Sequence, residues 1–320
     1  MIFKIRKYKI KIIFIAQIIL ITAGCTTSVL TNYEHAVNYY QEGKYRTAIE
    51  YFTRSIWEDP ANPHLYILRG NAKSKLGEFD DAIKDYSTAI KLNPKAEYFK
   101  DRGLTFLLMK DYNKAVDDFN HAVKLDSLNA ELYFNSGFVK SEKGDTKLAV
   151  NDYSKAIMLD STKAKYYVNR GNLYSELSQH KKSIDDFTIA IRLNPEDELA
   201  YFNRGKEYYL YGDYRNAVKD LSEALRLNDK NVTAYFFRAE SKVNFKNFLG
   251  AAADYTKIIK LEPKNGYAYY NRGICYANAD LKRNACEDFS RAGDLGFFPA
   301  YEIIEKYCKE KPKKKKRKKK

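Results

Sequence analysis

Residues 164–197 read AKYYVNRGNLYSELSQHKKSIDDFTIAIRLNPED. The segment falls into two halves in which small and large apolar residues recur at spacings of three and four, the period of a helix that buries one stripe. Gly171 and Ser183 are small, Phe187 is large, Ala190 is small again, and Pro195 ends the second half. Small residues on facing stripes let two helices approach closely, an aromatic ring fills the space beside that contact, and a Pro closes the helix because it has no N–H to donate. The segment reads as a helical hairpin.

The same pattern recurs outward in both directions. Small residues stand at Ala36, Gly70, Gly103, Gly137, Gly171, Gly205, Ala239 and Gly273, 34 residues apart except for one spacing of 33. With this residue numbered position 8 of each unit, position 20 is Ala or Ser in all eight units. Position 24 is Phe or Tyr in seven and Leu221 in the eighth, and Pro60, Pro94, Pro195 and Pro263 share position 32. Gly77, Gly144 and Gly212 fall between the halves, where a helix-ending residue belongs. The units are 29–62, 63–95, 96–129, 130–163, 164–197, 198–231, 232–265 and 266–296. Hairpins of 34 residues with Gly at 8, Ala at 20, an aromatic at 24 and Pro at 32 resemble tetratricopeptide repeats. Position 4, often Trp in that family, holds Tyr66, Phe99, Tyr133, Tyr167, Tyr201, Tyr235 and Tyr269, and Asn32 in the terminal unit. The resemblance implies an all-α, right-handed α-solenoid of about eight hairpins. Residues 297–308 (FFPAYEIIEKYC), with Tyr301, Ile304 and Cys308 at helical spacing after Pro299, are expected to form a capping helix over the last hairpin.

The chain has 320 residues, 45% of them apolar, and a net charge of +15. This composition excludes a collagen-like fibre, a disulfide-dense miniprotein and a polytopic membrane protein. Residues 1–24 carry five basic and no acidic side chains, and residues 309–320 carry ten basic and one acidic. The remaining 41 basic and 40 acidic side chains leave the body near neutral. A basic nucleic-acid face over the folded part therefore has no support, and nucleic acid is not favoured as a partner.

Residues 1–24 begin with Lys4, Arg6, Lys7, Lys9 and Lys11, followed by an apolar run from Ile12 to Ala23. That run is shorter than the ~20 residues a helix needs to cross a bilayer, and the pattern is that of an export signal. Thr22-Ala23-Gly24-Cys25 resembles a bacterial lipobox, with Thr22 where Leu is usual. The resemblance implies lipid on Cys25, a short linker over 25–31, and an exported protein anchored in the envelope. Thr26, rather than Asp, after the Cys resembles lipoproteins of the outer membrane that face the periplasm. An ordinary signal peptide or an uncleaved anchor is the alternative.

No nucleotide loop, zinc-protease pattern, paired-Cys motif or nucleophile elbow occurs, so no enzyme, metal or cofactor is expected. His35, His64, His121 and His180 fall at four different positions of their units and share no face. The resemblance implies a concave groove lined by the first helices, where family members bind peptides or helices. Position 6 of that helix holds Asn135, Asn169, Asn203 and Asn271, with Phe138 and Asn172 at position 9. Amides at regular intervals suit the main chain of an extended segment, and resemble the asparagine ladder of some tetratricopeptide superhelices. Asn at these places equally serves solubility or bonds between repeats. Arg at position 7 in six units and Asp at position 23 in seven are in phase and read as structural ion pairs, each worth ~0.2–1 kcal/mol if exposed.

Cys286 and Cys308 could form a disulfide that staples the cap, leaving Cys275 buried, and three free thiols are the alternative. The Lys-rich end, KEKPKKKKRKKK (309–320), reads as an extended tail that could hold anionic lipid headgroups, a cell-wall polymer or nucleic acid, or no specific ligand. Three functions follow: an envelope scaffold with a protein or peptide partner in its groove, a binder of anionic polymer through the tail, or a regulatory subunit of an envelope enzyme.

Overall fold

A computed structural model of the chain describes residues 31–309, and among them every regular element is helical. Sixteen helices form eight hairpins in chain order. They are α1 (Asn32–Gln41) with α2 (Tyr45–Glu58), α3 (Pro63–Lys75) with α4 (Phe79–Leu92), α5 (Ala96–Leu108) with α6 (Tyr112–Leu125), and α7 (Ala130–Lys143) with α8 (Thr146–Leu159). Then come α9 (Ala164–Glu176) with α10 (His180–Leu193), α11 (Glu198–Tyr211) with α12 (Tyr214–Leu227), α13 (Val232–Asn244) with α14 (Phe248–Leu261), and α15 (Gly266–Asn278) with α16 (Lys282–Asp294). Residues 297–308, expected as one helix, instead form a short α17 (Pro299–Ile303) and a π-helical turn (Ile304–Cys308), in which the Lys309 N–H donates to the Ile304 carbonyl at 3.1 Å. Pro299 fixes the start, since its missing N–H costs nothing in a first turn.

Each hairpin closes on its small residues. The Ala at position 20 is fully buried in seven units, and in five units the ring at position 24 lies against the glycine at position 8, with Leu221 taking that place against Gly205. A Cβ on Gly70 would stand 2.8 Å from Tyr86 Cε1, and one on Gly171 would stand 3.1 Å from Phe187 Cε1. The chain reverses between helices through a left-handed residue at position 15. Gly43, Gly77, Gly144 and Gly212 supply it in four units, and Lys110, Ser178, Lys246 and Asp280 adopt it in the others at φ of 56–63°.

The repeated Arg and Asp form a clamp that is largely buried, so the scale for exposed pairs does not apply. Arg69, Arg102, Arg170, Arg204, Arg238 and Arg272 each donate from Nε and Nη2 to both oxygens of the Asp sixteen residues on, at 2.6–3.1 Å. Those six carboxylates are 3–5% exposed. Nη1 reaches back to a hydroxyl of the preceding unit, Thr53, Ser87, Ser154, Thr188, Ser222 or Thr256, at 2.9–3.1 Å. One guanidinium thus ties its hairpin shut and fastens it to its neighbour. Unit 4 departs: Ser136 replaces the Arg, and Asp152 accepts instead from Ser136 Oγ and Lys140 Nζ, both at 2.6 Å.

Extensive packing joins each helix to the next along the chain, and much lighter contacts join α3 to α5, α7 to α9, α9 to α11 and α11 to α13. The first helices of neighbouring hairpins come together while the second helices splay, so the array curves with the first helices on its inner side.

Candidate functional site

The inner wall is built from residues of the first helices that face away from their own hairpin. Local caps fix the starts of α7, α11 and α13, where Asn129 accepts from the N–H of Glu131, Asp197 from Ala200 and Asn231 from Ala234, whereas α9 starts after Lys163 without a side-chain cap. Position 6, one residue before the clamp Arg, falls on this wall.

The structure brings two of the expected amides together and leaves the others separate. Asn203 Nδ2 donates to Asn172 Oδ1 across the boundary of units 5 and 6, at 3.1 Å. This leaves Nδ2 of Asn172 as a donor and Oδ1 of Asn203 as an acceptor. Asn169 Nδ2 donates to the Lys165 carbonyl and Asn271 Nδ2 to the Tyr267 carbonyl, each four residues back, so these two offer their Oδ1 atoms. Asn135 makes no side-chain hydrogen bond among the described residues. Asn271 lies beyond Phe237, which holds position 6 in unit 7, and is apart from the rest. Phe138 is 38% exposed one turn from Asn135.

A concavity of about 270 Å³ opens at the amide pair, lined by Asn172, Ser175, Glu176, Phe187, Asn203, Lys206 and Glu207. Its floor is a cluster that the repeat pattern conceals. Glu207 is 1% exposed, accepts from Ser175 Oγ at 2.6 Å and bonds His180 Nδ1 at 2.8 Å. Three helices, α9, α10 and α11, meet through this carboxylate. Position 10 holds Ala72, Thr105, Val139, Leu173, Ser241 and Cys275 in other units, so a charge in that column is the sequence signal that was available. His180 and Ser175 are not arranged as base and nucleophile, since both bond the carboxylate and neither bonds the other.

At the C-terminal end, Cys286 and Cys308 are joined by a disulfide, with Cα atoms 5.6 Å apart, and Cys275 is a buried free thiol. Among the described residues no group of three His, Cys, Asp or Glu could hold a metal, and no helix is long and apolar enough to cross a membrane. Residues 1–30, including Cys25, and the tail residues 310–320 lie outside the described residues.

Tetratricopeptide repeat family models match residues 64–95 and 164–197, and residues 101–127, 130–163 and 199–231, together half of the chain. The chain is a tetratricopeptide-repeat protein. Among curated proteins, this repeat protein is similar to RNA polymerase II-associated protein 3 of Xenopus laevis, at 36% identity over 107 residues, 33% of this chain and 16% of that protein. It is also similar to Hsp70-Hsp90 organizing protein 2 of Arabidopsis thaliana, at 28% identity over 100 residues, 31% of this chain and 18% of that one. The chain thus spans less than a fifth of the length of either relative. Among solved structures it resembles the C-terminal part of a TPR repeat-containing protein from Cytophaga hutchinsonii, with a TM-score of 0.66 and 20% identity over 75% of this chain and 98% of that one. It also resembles YrrB, a TPR protein with an unusual peptide-binding site, with a TM-score of 0.54 and 24% identity over 58% of this chain and 97% of that one. At these identities the structural likeness is one of fold.

Proposed function

We propose that this tetratricopeptide-repeat protein is a non-enzymatic interaction scaffold that binds an extended segment of a partner protein in the groove of units 4 to 6. The observation that carries this reading is the Asn172–Asn203 pair, whose free donor and free acceptor match the carbonyl and N–H of one peptide unit. Asn135 and Asn169 extend the row, and Phe138 offers an apolar contact for a side chain. Main-chain recognition accepts many sequences, and the flanking residues then select among them. A peptide-binding site in YrrB and the organizing role named for the Arabidopsis relative accord with such a use. The basic and apolar leader and the Thr22-Ala23-Gly24-Cys25 segment support an exported scaffold held at the envelope by lipid on Cys25, on the periplasmic side of the outer membrane.

Crosslinked affinity capture from envelopes tests the groove. Capture by the intact chain is compared with capture by a variant carrying Asn135→Ala, Asn169→Ala and Asn203→Ala, and by one lacking residues 311–320. Partners are expected to disappear with the Asn changes and survive tail removal. The reverse result would make the chain a charged tether for an anionic polymer or lipid, with the repeats as a spacer. Incorporation of labelled fatty acid, abolished by Cys25→Ala, tests the anchor.

A further inference from the structure

Beyond the amide-lined stretch the groove turns aromatic. Tyr209 and Phe237 have ring centroids 5.3 Å apart, Phe236 and Tyr267 5.8 Å, and Tyr267 and Phe297 5.7 Å. Glu240, at position 9 of unit 7, lies among these rings, where its carboxylate accepts the hydroxyl of Tyr255. Burial raises the pKa of Tyr209, Tyr267 and Tyr255 and pushes the Cys275 thiol up to about 12, and the negative charge of Glu240 adds to the shift in all four. Among the described residues no Lys, Arg or His stands within ion-pair distance of Glu240, whereas Asp254 on the neighbouring helix has both Arg238 and Lys242. Position 9 is Asn71, Leu104, Phe138, Asn172, Lys206 and Ile274 in the units around it, so the acid is peculiar to this place.

Glu240 is partly buried, and among the described residues its carboxylate has the Tyr255 hydroxyl and no cation as a partner. Ring faces carry a negative quadrupole, so carboxylate and rings together attract a cation and repel an anion. The sequence holds such a cation source in Lys313–Lys320, eight consecutive basic residues. The disulfide pins the preceding chain to α16, and Phe297 of the same C-terminal segment already touches Tyr267. Two or three helix spacings of ~8–10 Å separate α16 from α13. The eleven residues 310–320 can extend to ~36–40 Å, which covers that distance. We propose that Glu240 and the rings of Tyr209, Phe236 and Tyr267 receive a lysine side chain of the chain's own basic tail.

Zero-length carbodiimide coupling of the dilute full-length protein, followed by peptide mapping, tests this. The reagent joins a lysine amine to a carboxylate only where the two touch. The expected product links a tail lysine to Glu240 within one monomer. Glu240→Gln, which keeps an acceptor for Tyr255, should abolish that link, and changing Lys313–Lys320 to Gln should lower total coupling at Glu240 at least tenfold. Tail lysines coupled only to other acids, or linked to Glu240 only in dimeric species, would overturn the proposal. Capture through the Asn row is read separately and is unaffected by either outcome.

Discussion

Gly273 lies under the ring of Phe289: a Cβ there would stand 2.7 Å from Cε1 and 3.2 Å from the backbone oxygen of Ala285. A ring could swing aside, but the carbonyl belongs to the facing helix, so relief needs the hairpin to open. Gly273→Ala should therefore destabilise the protein by about 1–3 kcal/mol, seen as a lower denaturant midpoint with unchanged slope. Asp101 sits where the next three units have Asn, and burial raises its pKa above the ordinary 3.8, with Lys100 opposing the shift and Glu97 adding to it. Between 3.8 and the raised value the folded chain binds more protons than the unfolded one, so stability falls as pH rises through that window. Asp101→Asn is thus expected to be more stable than the parent at pH 7 and to have no advantage below 3.8. An equal gain at both pH values would mean that the carboxylate is not the cause.

Elements are where sequence periodicity is informative and where it stops. The hairpins were legible because positions 8, 20, 24 and 32 each have one steric task, so residue size alone reveals them. Position 15 was legible only where it is Gly, although every hairpin needs a left-handed residue there. Lys110, Ser178 and Lys246 adopt that conformation at a cost of about 1–2 kcal/mol, partly offset by the extra chain entropy a Gly would lose on folding. Each changed to Gly should raise stability by about 0.5–1 kcal/mol, while Lys44→Gly, one residue past a left-handed Gly43, should not. The Arg and Asp columns were visible, but their burial was not, because a count of charges does not show which face each helix turns inward. Ser175 and His180 escaped the pattern, and Glu207 shows only as a charge in an otherwise uncharged column: the three are bound across three helices, and their positions share no register. In the cap, Cys286–Cys308 closes a loop with a sequence separation of 22. Its loss in Cys286→Ser should cost about 3 kcal/mol, confined to α15–α17, with Cys275 still shielded from alkylating agents until that region opens.

At the scale of the whole molecule, a chain whose packing joins only near neighbours has no single core, and its stability is close to a sum of unit and interface contributions. Such an array opens where an interface is weakest. Six guanidinium groups each tie their unit to the hydroxyl of the one before, and unit 4 lacks this tie because Ser136 stands at position 7 and Lys140 neutralises Asp152 from within the same hairpin. The seam between α6 and α7 therefore holds by apolar packing without the repeated polar clasp. Native-state hydrogen exchange should show the amides beside this seam exchanging through a lower-energy opening than those between α10 and α11, where Arg204 reaches Thr188 at 3.0 Å. Removing that clasp with Arg204→Ala leaves Asp220 buried without its partner, at about 3–5 kcal/mol, and should shift the weakest point to the seam of units 5 and 6. The amide pair Asn172–Asn203 spans that same seam, so the variant should also lose partner capture while units 1 to 3 keep their protection. Uniform loss of protection from end to end would show instead that the eight hairpins fold as one cooperative body, and that the clasps set its total stability rather than its joints.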